Sequence, residues 1–282
     1  MGEVIFLIIL ALVFLIFATI QDLKKREVAN WISFSLIIFA LGYRFFYSLF
    51  SGEFNFLYQG LIGLGIFFIL GNLLYYGRMF AGGDAKLMIA LGTVLPLSSS
   101  FFINLKIFII FLFVFLFAGG IYGLSVSIVL SLRNFKRFKK EFSKRLDKNK
   151  KLIYIVMFLG LIVMSLGLLE NLFFILGVII FIFPYFYLYA KAVDESCMVK
   201  KVKTGKLTEG DWLYENIKVK NKLIKARWEG LSKKDIGLIQ EKYKSVLIRY
   251  GIPFVPVFLI SFLILIYIWS SGMIEGLWNP FW

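Results

Sequence analysis

At 282 residues, 60% of them hydrophobic and 19% aromatic, the chain is far more apolar than a soluble domain, in which about 45–50% is usual. It has no histidine and a single cysteine, Cys197, which excludes an internal disulfide, a Cys-X-X-Cys zinc cage and every Ser-His or Cys-His nucleophile. Its net charge of +15 raises nucleic acid as a partner, and the distribution of that charge then argues for a membrane instead.

Apolar runs predict spanning helices at roughly 4–21, 31–50, 57–76, 86–104, 105–131, 152–168, 171–190 and 252–270, most of them near the ~20 residues that cross a bilayer. The fold class is therefore an all-α polytopic membrane protein of about eight transmembrane helices (six to eight), with a small cytosolic α/β subdomain. The first run is too long, and lacks the basic start, for a removed signal peptide. The connecting segments 22–30, 77–86, 132–151 and 191–250 hold every lysine and arginine except Arg44 and Lys106. That asymmetry makes them cytoplasmic and places both termini outside. The basic charge is a topology signal, and no nucleic-acid partner is expected.

In chain order, residues 1–131 form a membrane core. The run 85–97 after Asp84 carries Gly92 and Pro96, and is expected to be short, kinked or partly re-entrant. Residues 132–151 form a basic cytoplasmic loop, either lying on anionic headgroups of the membrane lipids or simply solvated. Residues 152–190 read as a transmembrane hairpin, 191–250 as the cytosolic subdomain, and 251–282 as a last spanning helix with a short outer tail. Within the subdomain, Tyr214–Lys225 favours short strands. Ser232 is an N-cap, with Asp235 at the third position, for a helix over 233–245. Glu209-Gly210-Asp211 reads as a turn, and Pro253 and Pro256 suit the first turn of the last helix.

Two aspartates stand out. Asp22 closes the first run, and Asp84 opens the fourth within Ala81-Gly82-Gly83-Asp84-Ala85-Lys86. Either alone is an ordinary acid at a helix end. Together they lie on one side at one depth, in a chain with few other catalytic groups. If the first and fourth helices pack together, the two carboxyls can share one proton. One would deprotonate a water that attacks a peptide carbonyl, and the other would protonate or polarise the carbonyl oxygen. No metal and no cofactor are needed. The dipole at its helix start makes Asp84 the expected acidic member, with Asp22 holding the proton. Gly82 and Gly83 would permit a tight turn and close approach of a substrate strand. Lys86 is read as gripping headgroups or tuning the pair, and Glu27, Asp194 and Glu195 as acids that could hold a basic substrate segment. The competing reading is a non-enzymatic membrane protein: a transporter whose aspartates bind a proton or cation, or a filament-assembly platform.

Asp22-Leu23-Lys24-Lys25-Arg26-Glu27-Val28-Ala29-Asn30 and Gly82-Gly83-Asp84-Ala85-Lys86-Leu87-Met88-Ile89-Ala90-Leu91-Gly92 resemble the two signature stretches of the type IV prepilin peptidases, which include the archaeal preflagellin peptidases. The resemblance covers about residues 1–130. It implies a membrane aspartic endopeptidase that cleaves class III signal peptides of prepilin-like or preflagellin-like precursors at the cytoplasmic membrane face, with Asp22 and Asp84 as the dyad. The stretches 207–212 and 251–256 look like the C-terminal extension of an archaeal branch. The family's GxGD pattern has glycine where this chain has Ala81. The zinc-binding Cys-X-X-Cys domain that accompanies N-methylation in many bacterial members is absent, so methyl transfer is not implied.

Overall fold

The computed structural model describes residues 2–219 and 222–276. The helices are α1 (Gly2–Lys25), α2 (Asn30–Ser51), α3 (Asn55–Tyr76), α4 (Gly82–Leu91), α5 (Phe101–Arg133), α6 (Phe135–Ser165), α7 (Asn171–Cys197), α8 (Lys233–Lys242), α9 (Val255–Ser270) and α10 (Met273–Gly276). The strands are β1 (Val199–Lys203), β2 (Trp212–Leu213), β3 (Ile217–Val219), β4 (Lys222–Ile224) and β5 (Ser245–Arg249). The chain divides into two compact units, residues 1–123 with 252–282, and residues 124–251.

In the first unit, successive helices run antiparallel. Phe6 near the start of α1 stacks on Tyr43 near the end of α2, ring centroids 4.1 Å apart. Tyr43 and Tyr47 in turn meet Phe56 at the start of α3. The segment from α4 to residue 100 lies along α3 for most of its length. Ala85 sits beside Gly71, Gly92 meets Gly63 backbone to backbone, and the Ser99 carbonyl accepts from Asn55 Nδ2 at 2.8 Å. Glycine on both sides of the Gly63–Gly92 contact lets the two backbones touch, because a Cβ at either position would overlap the other chain.

The expected fourth span is therefore ten helical residues followed by a non-helical stretch, 92–100. Helix formation stops at Gly92, and Pro96 has no amide to continue it. Inside a bilayer, free backbone carbonyls are tolerated only where protein satisfies them. Arg44 of α2 does this. Its Nε donates to the Thr93 carbonyl at 2.9 Å, and its Nη2 donates to those of Pro96 at 2.7 Å and Val94 at 3.4 Å. Its Nη1 donates to the Phe56 carbonyl at 2.8 Å, and the guanidinium lies 4.3 Å from the centre of the Phe56 ring. The side chain is wholly buried. Setting Arg44 aside with Lys106 as outside the basic connecting segments misses this structural role.

Among the described residues six helices are long and apolar enough to cross a membrane: α1, α2, α3, α5, α6 with its extension to Leu168, and α7. That is the lower end of the expected six to eight. The expected eighth span is α9, whose 16 residues reach about 24 Å at ~1.5 Å per residue. Residues 277–282 of the expected outer tail lie outside the described residues.

In the second unit α6 and α7 form a hairpin whose backbones meet at small residues, with Gly160 against Phe181 and Gly177 against Met164. The basic stretch expected as a loop is instead helical over 135–151 and continues into the apolar part of α6. Its aromatic residues pack, Phe138 on Phe142 and Tyr189, which rewards helix formation there. The subdomain has a three-stranded antiparallel sheet in the order β1-β5-β2 and a β3-β4 hairpin. They surround a core that includes Leu213, Val219, Ile224, Ile239, Val246 and Ile248.

The strands expected within Tyr214–Lys225 are present, and Ser232 caps α8 by accepting from the Asp235 N–H at 3.2 Å. The helix expected to reach 245 ends at Lys242, because Tyr243 turns extended (φ −113°, ψ 136°). Ser245–Arg249 is the central strand instead. Val246 and Ile248 alternate inward there with period two, a pattern legible in Val-Leu-Ile. Gly210, at φ +93°, forms the expected turn and lies against Gly230.

Candidate active site

One end of the first unit is built from two short turns. Residues 26–29 join α1 to α2, and residues 77–81 join α3 to α4. Each turn contains one arginine in the left-handed region, Arg26 at φ 58° and Arg78 at φ 60°, a conformation that is uncommon outside glycine. Arg26 closes α1 by donating its N–H to the Asp22 carbonyl at 2.7 Å.

The two turns meet. A Cβ built on Gly83 would lie 3.3 Å from Val28 Cβ, and Lys86 Nζ donates to Asn30 Oδ1 at 2.7 Å. Gly83 is thus glycine because the buried Val28 turn presses on it. Gly82 has open room, with only Tyr75 within reach at 3.8 Å. Lys86 ties α4 to the start of α2. Ala81 is the N-cap of α4 at φ −71°, ψ 161°, an ordinary extended conformation that alanine adopts without strain. At this position glycine offers no conformational advantage.

Asp22 sits in the last turn of α1 and is buried, 5% exposed. Its Oδ2 accepts the backbone N–H of Val255 at 2.9 Å, the Phe254 backbone also reaches it, and the Arg26 charge acts on it. Asp84 is the third residue of α4 and half-buried. Its carboxyl meets the Ala81 N–H, as a capping acid does, and it lies within electrostatic reach of Asp22. Tyr122 of α5 is also within reach of Asp22. α4 packs mainly on α2 and α3, and α1 on α2 and α9. The carboxyls are therefore brought together through their turns, not through the direct α1–α4 packing that the sequence suggests.

A layer of aromatic rings closes over this end. Phe80 and Phe115 pack on each other and on Phe254 and Phe258. The Phe254 ring also fills the space a side chain at Gly119 would take. This makes an apolar surround for two acids, the setting in which a shared proton is favoured over two charges. Sequence reasoning missed Val255 and Tyr122. Val255 acts through its backbone, which no residue type signals, and Tyr122 is one tyrosine among 14.

The three remaining candidates are placed as follows. Glu27 is exposed in the 26–29 turn. Asp194 and Glu195 belong to the second unit, at the end of α7. Asp194 pairs with Arg249 at 3.4 Å, and Glu195 accepts from Tyr214 Oη at 2.6 Å and pairs with Arg249 and Arg145. Their carboxylates fasten the strands to α7. The hydrogen bond to Glu195 also holds the Tyr214 phenol above its usual range.

Residues 9–124 match the type IV leader peptidase family. The preflagellin peptidases of Methanocaldococcus jannaschii, Methanococcus maripaludis and Methanococcus voltae are 34%, 32% and 30% identical over 82 residues. These alignments cover 29% of this chain and 35% of each relative, so the chain spans about a third of the length of the curated relatives it matches. No solved structure matches. The stretch similar to the type IV leader peptidase family, residues 9–124, carries both aspartates.

Proposed function

We propose that this protein is a membrane aspartic endopeptidase that removes class III signal peptides from prepilin-like or preflagellin-like precursors. Asp22 and Asp84 are its catalytic pair. The observation that carries this reading is the meeting of the two turns, which sets both carboxyls at one end of the first unit, within electrostatic reach of each other. The family match includes both positions, and the relatives in methanogens are named preflagellin peptidases.

One carboxyl takes a proton from water as the water oxygen attacks the scissile carbonyl, and the other gives its proton to the carbonyl oxygen. Gly82 and Gly83 keep the Asp84 turn compact, and Lys86 anchors α4 through Asn30. The cytoplasmic face is the proposed side of cleavage, because the basic turns 22–30 and 77–86 surround the pair. Glu27, exposed beside the pair, would contact the basic start of the precursor. The site at a helix end speaks against a proton-coupled transporter, whose acids belong near the bilayer midplane.

Co-expression with candidate precursors tests the reading. Wild type should shorten the precursor, and Asp22→Asn and Asp84→Asn should each abolish the shift in mobility. Processing that persists in both variants would remove the dyad mechanism.

A further inference from the structure

The peptidase reading assigns no role to residues 252–276, which lie beyond the family match, and does not say which carboxyl begins with the proton. One contact bears on both. The N–H of Val255, the first residue of α9, points at Asp22 Oδ2 across 233 positions of sequence. Of its neighbours, Phe254 also reaches Asp22 through its backbone, Pro256 has no donor, and Val257 donates to the Phe254 carbonyl at 3.0 Å. Val255, Pro256, Val257 and Phe258 are all buried, and Phe254 is held among Phe80, Phe115 and Gly119. Packing therefore fixes the direction of this N–H.

The charged and titratable groups near Asp22 are Arg26 on its own helix end, Asp84 on α4 and Tyr122 on α5. α9 presents backbone amides and no acid in its first turn. Burial opposes charge on Asp22, and against it act two backbone contacts, an adjacent arginine and the positive end of a 16-residue helix. Asp84 has the Ala81 N–H and faces Asp22.

We propose that the first turn of α9 is a positioning element for the dyad, in which Val255 holds Asp22 as the ionised, acceptor-only member and leaves the shared proton on Asp84. This reverses the assignment expected from the sequence, and it rests on the peptidase reading above. Asp22 takes the proton from water as the water oxygen bonds to the carbonyl carbon, and Asp84 protonates the carbonyl oxygen to give a gem-diol. On collapse the C–N bond breaks, the proton on Asp22 passes to the leaving nitrogen, and a diol hydroxyl returns its proton to Asp84. Both carboxyls end as they began.

The test uses the full chain in lipid nanodiscs. Val255→Pro deletes the donor at a first helical position, with strain at Phe254, whose α conformation (φ −105°, ψ −12°) a following proline disfavours, and Val255→Ala keeps it. The expected result is a kcat lowered about 10- to 100-fold in Val255→Pro, the loss of one hydrogen bond to a charged group, with KM unchanged and Val255→Ala like wild type. A wild-type kcat in Val255→Pro overturns the positioning role and leaves the peptidase reading intact.

Should Val255→Pro fail to fold, solid-state NMR of wild type labelled with 13Cγ-aspartate and 15N-valine decides. The aspartate carboxyl most strongly dephased by valine nitrogen is Asp22, and a carboxylate chemical shift at neutral pH supports the proposal. A protonated shift, or no such dephasing, overturns it. If wild type cleaves no precursor while the NMR result holds, the peptidase reading fails and the seating of Asp22 stands.

Discussion

The two units of the chain handle buried and half-buried charge in opposite ways. In the first, Arg44 is wholly enclosed, and one guanidinium satisfies four carbonyls, three of them released where α4 stops. In the second, Arg249 and Arg145 are about a third exposed, and share Asp194 and Glu195 among several partial contacts. Water can replace any one member of the second cluster. In the first unit nothing can replace Arg44, because a bilayer offers a free carbonyl no donor. The difference teaches where this chain is fragile: at single polar side chains within the helices, rather than in its more heavily charged polar region.

The largest test of that contrast is Arg44→Met. It leaves the Thr93, Val94 and Pro96 carbonyls without their donor and should cost about 3–5 kcal/mol. Denaturation of the purified protein in mixed micelles would read this, and a cost below about 1 kcal/mol would break the comparison. Arg44→Lys should recover only part of it, since a point charge cannot fork across the same carbonyls.

Gly92→Ala comes next. Its methyl would push the non-helical stretch off Gly63, for roughly 1–3 kcal/mol, and should lower activity by shifting α4 and with it Asp84. Stability loss without any change in cleavage would show that the far end of this segment is uncoupled from the pair. The smallest effect is expected in the second unit. Glu195→Gln, at a partly exposed cluster, should cost less than about 1 kcal/mol and weaken further as a difference in high salt. A loss as large as that of Arg44→Met would erase the distinction between the units.

Much of the site was legible before the fold. Asp22 and Asp84 could be picked out as candidates from their positions at span ends, and the expectation that they share one side rested on the lysines and arginines around them. The sequence suggested that the pair meets if the first and fourth helices pack together; the turns meet instead, with Val28 pressed on Gly83 and Lys86 bonded to Asn30. Arg44 was hidden because a charge near a span end is usually a surface group. Its value depends on where a neighbouring helix breaks. Strand β5 was hidden behind a well-capped helix start at Ser232, whose pattern says where α8 begins but not where it ends.

By itself, then, the sequence determined the membrane class, the side on which charge collects and the two acids, because hydropathy, charge and residue type are local properties. Tertiary structure alone decided that six of the described helices are long and apolar enough to cross a membrane while α4 stops after ten residues, and that a guanidinium stands in for the missing helical hydrogen bonds. It also decided that Val255 meets Asp22. Those outcomes depend on backbone groups, which every residue carries, so only the packing of distant segments can say which of them face each other.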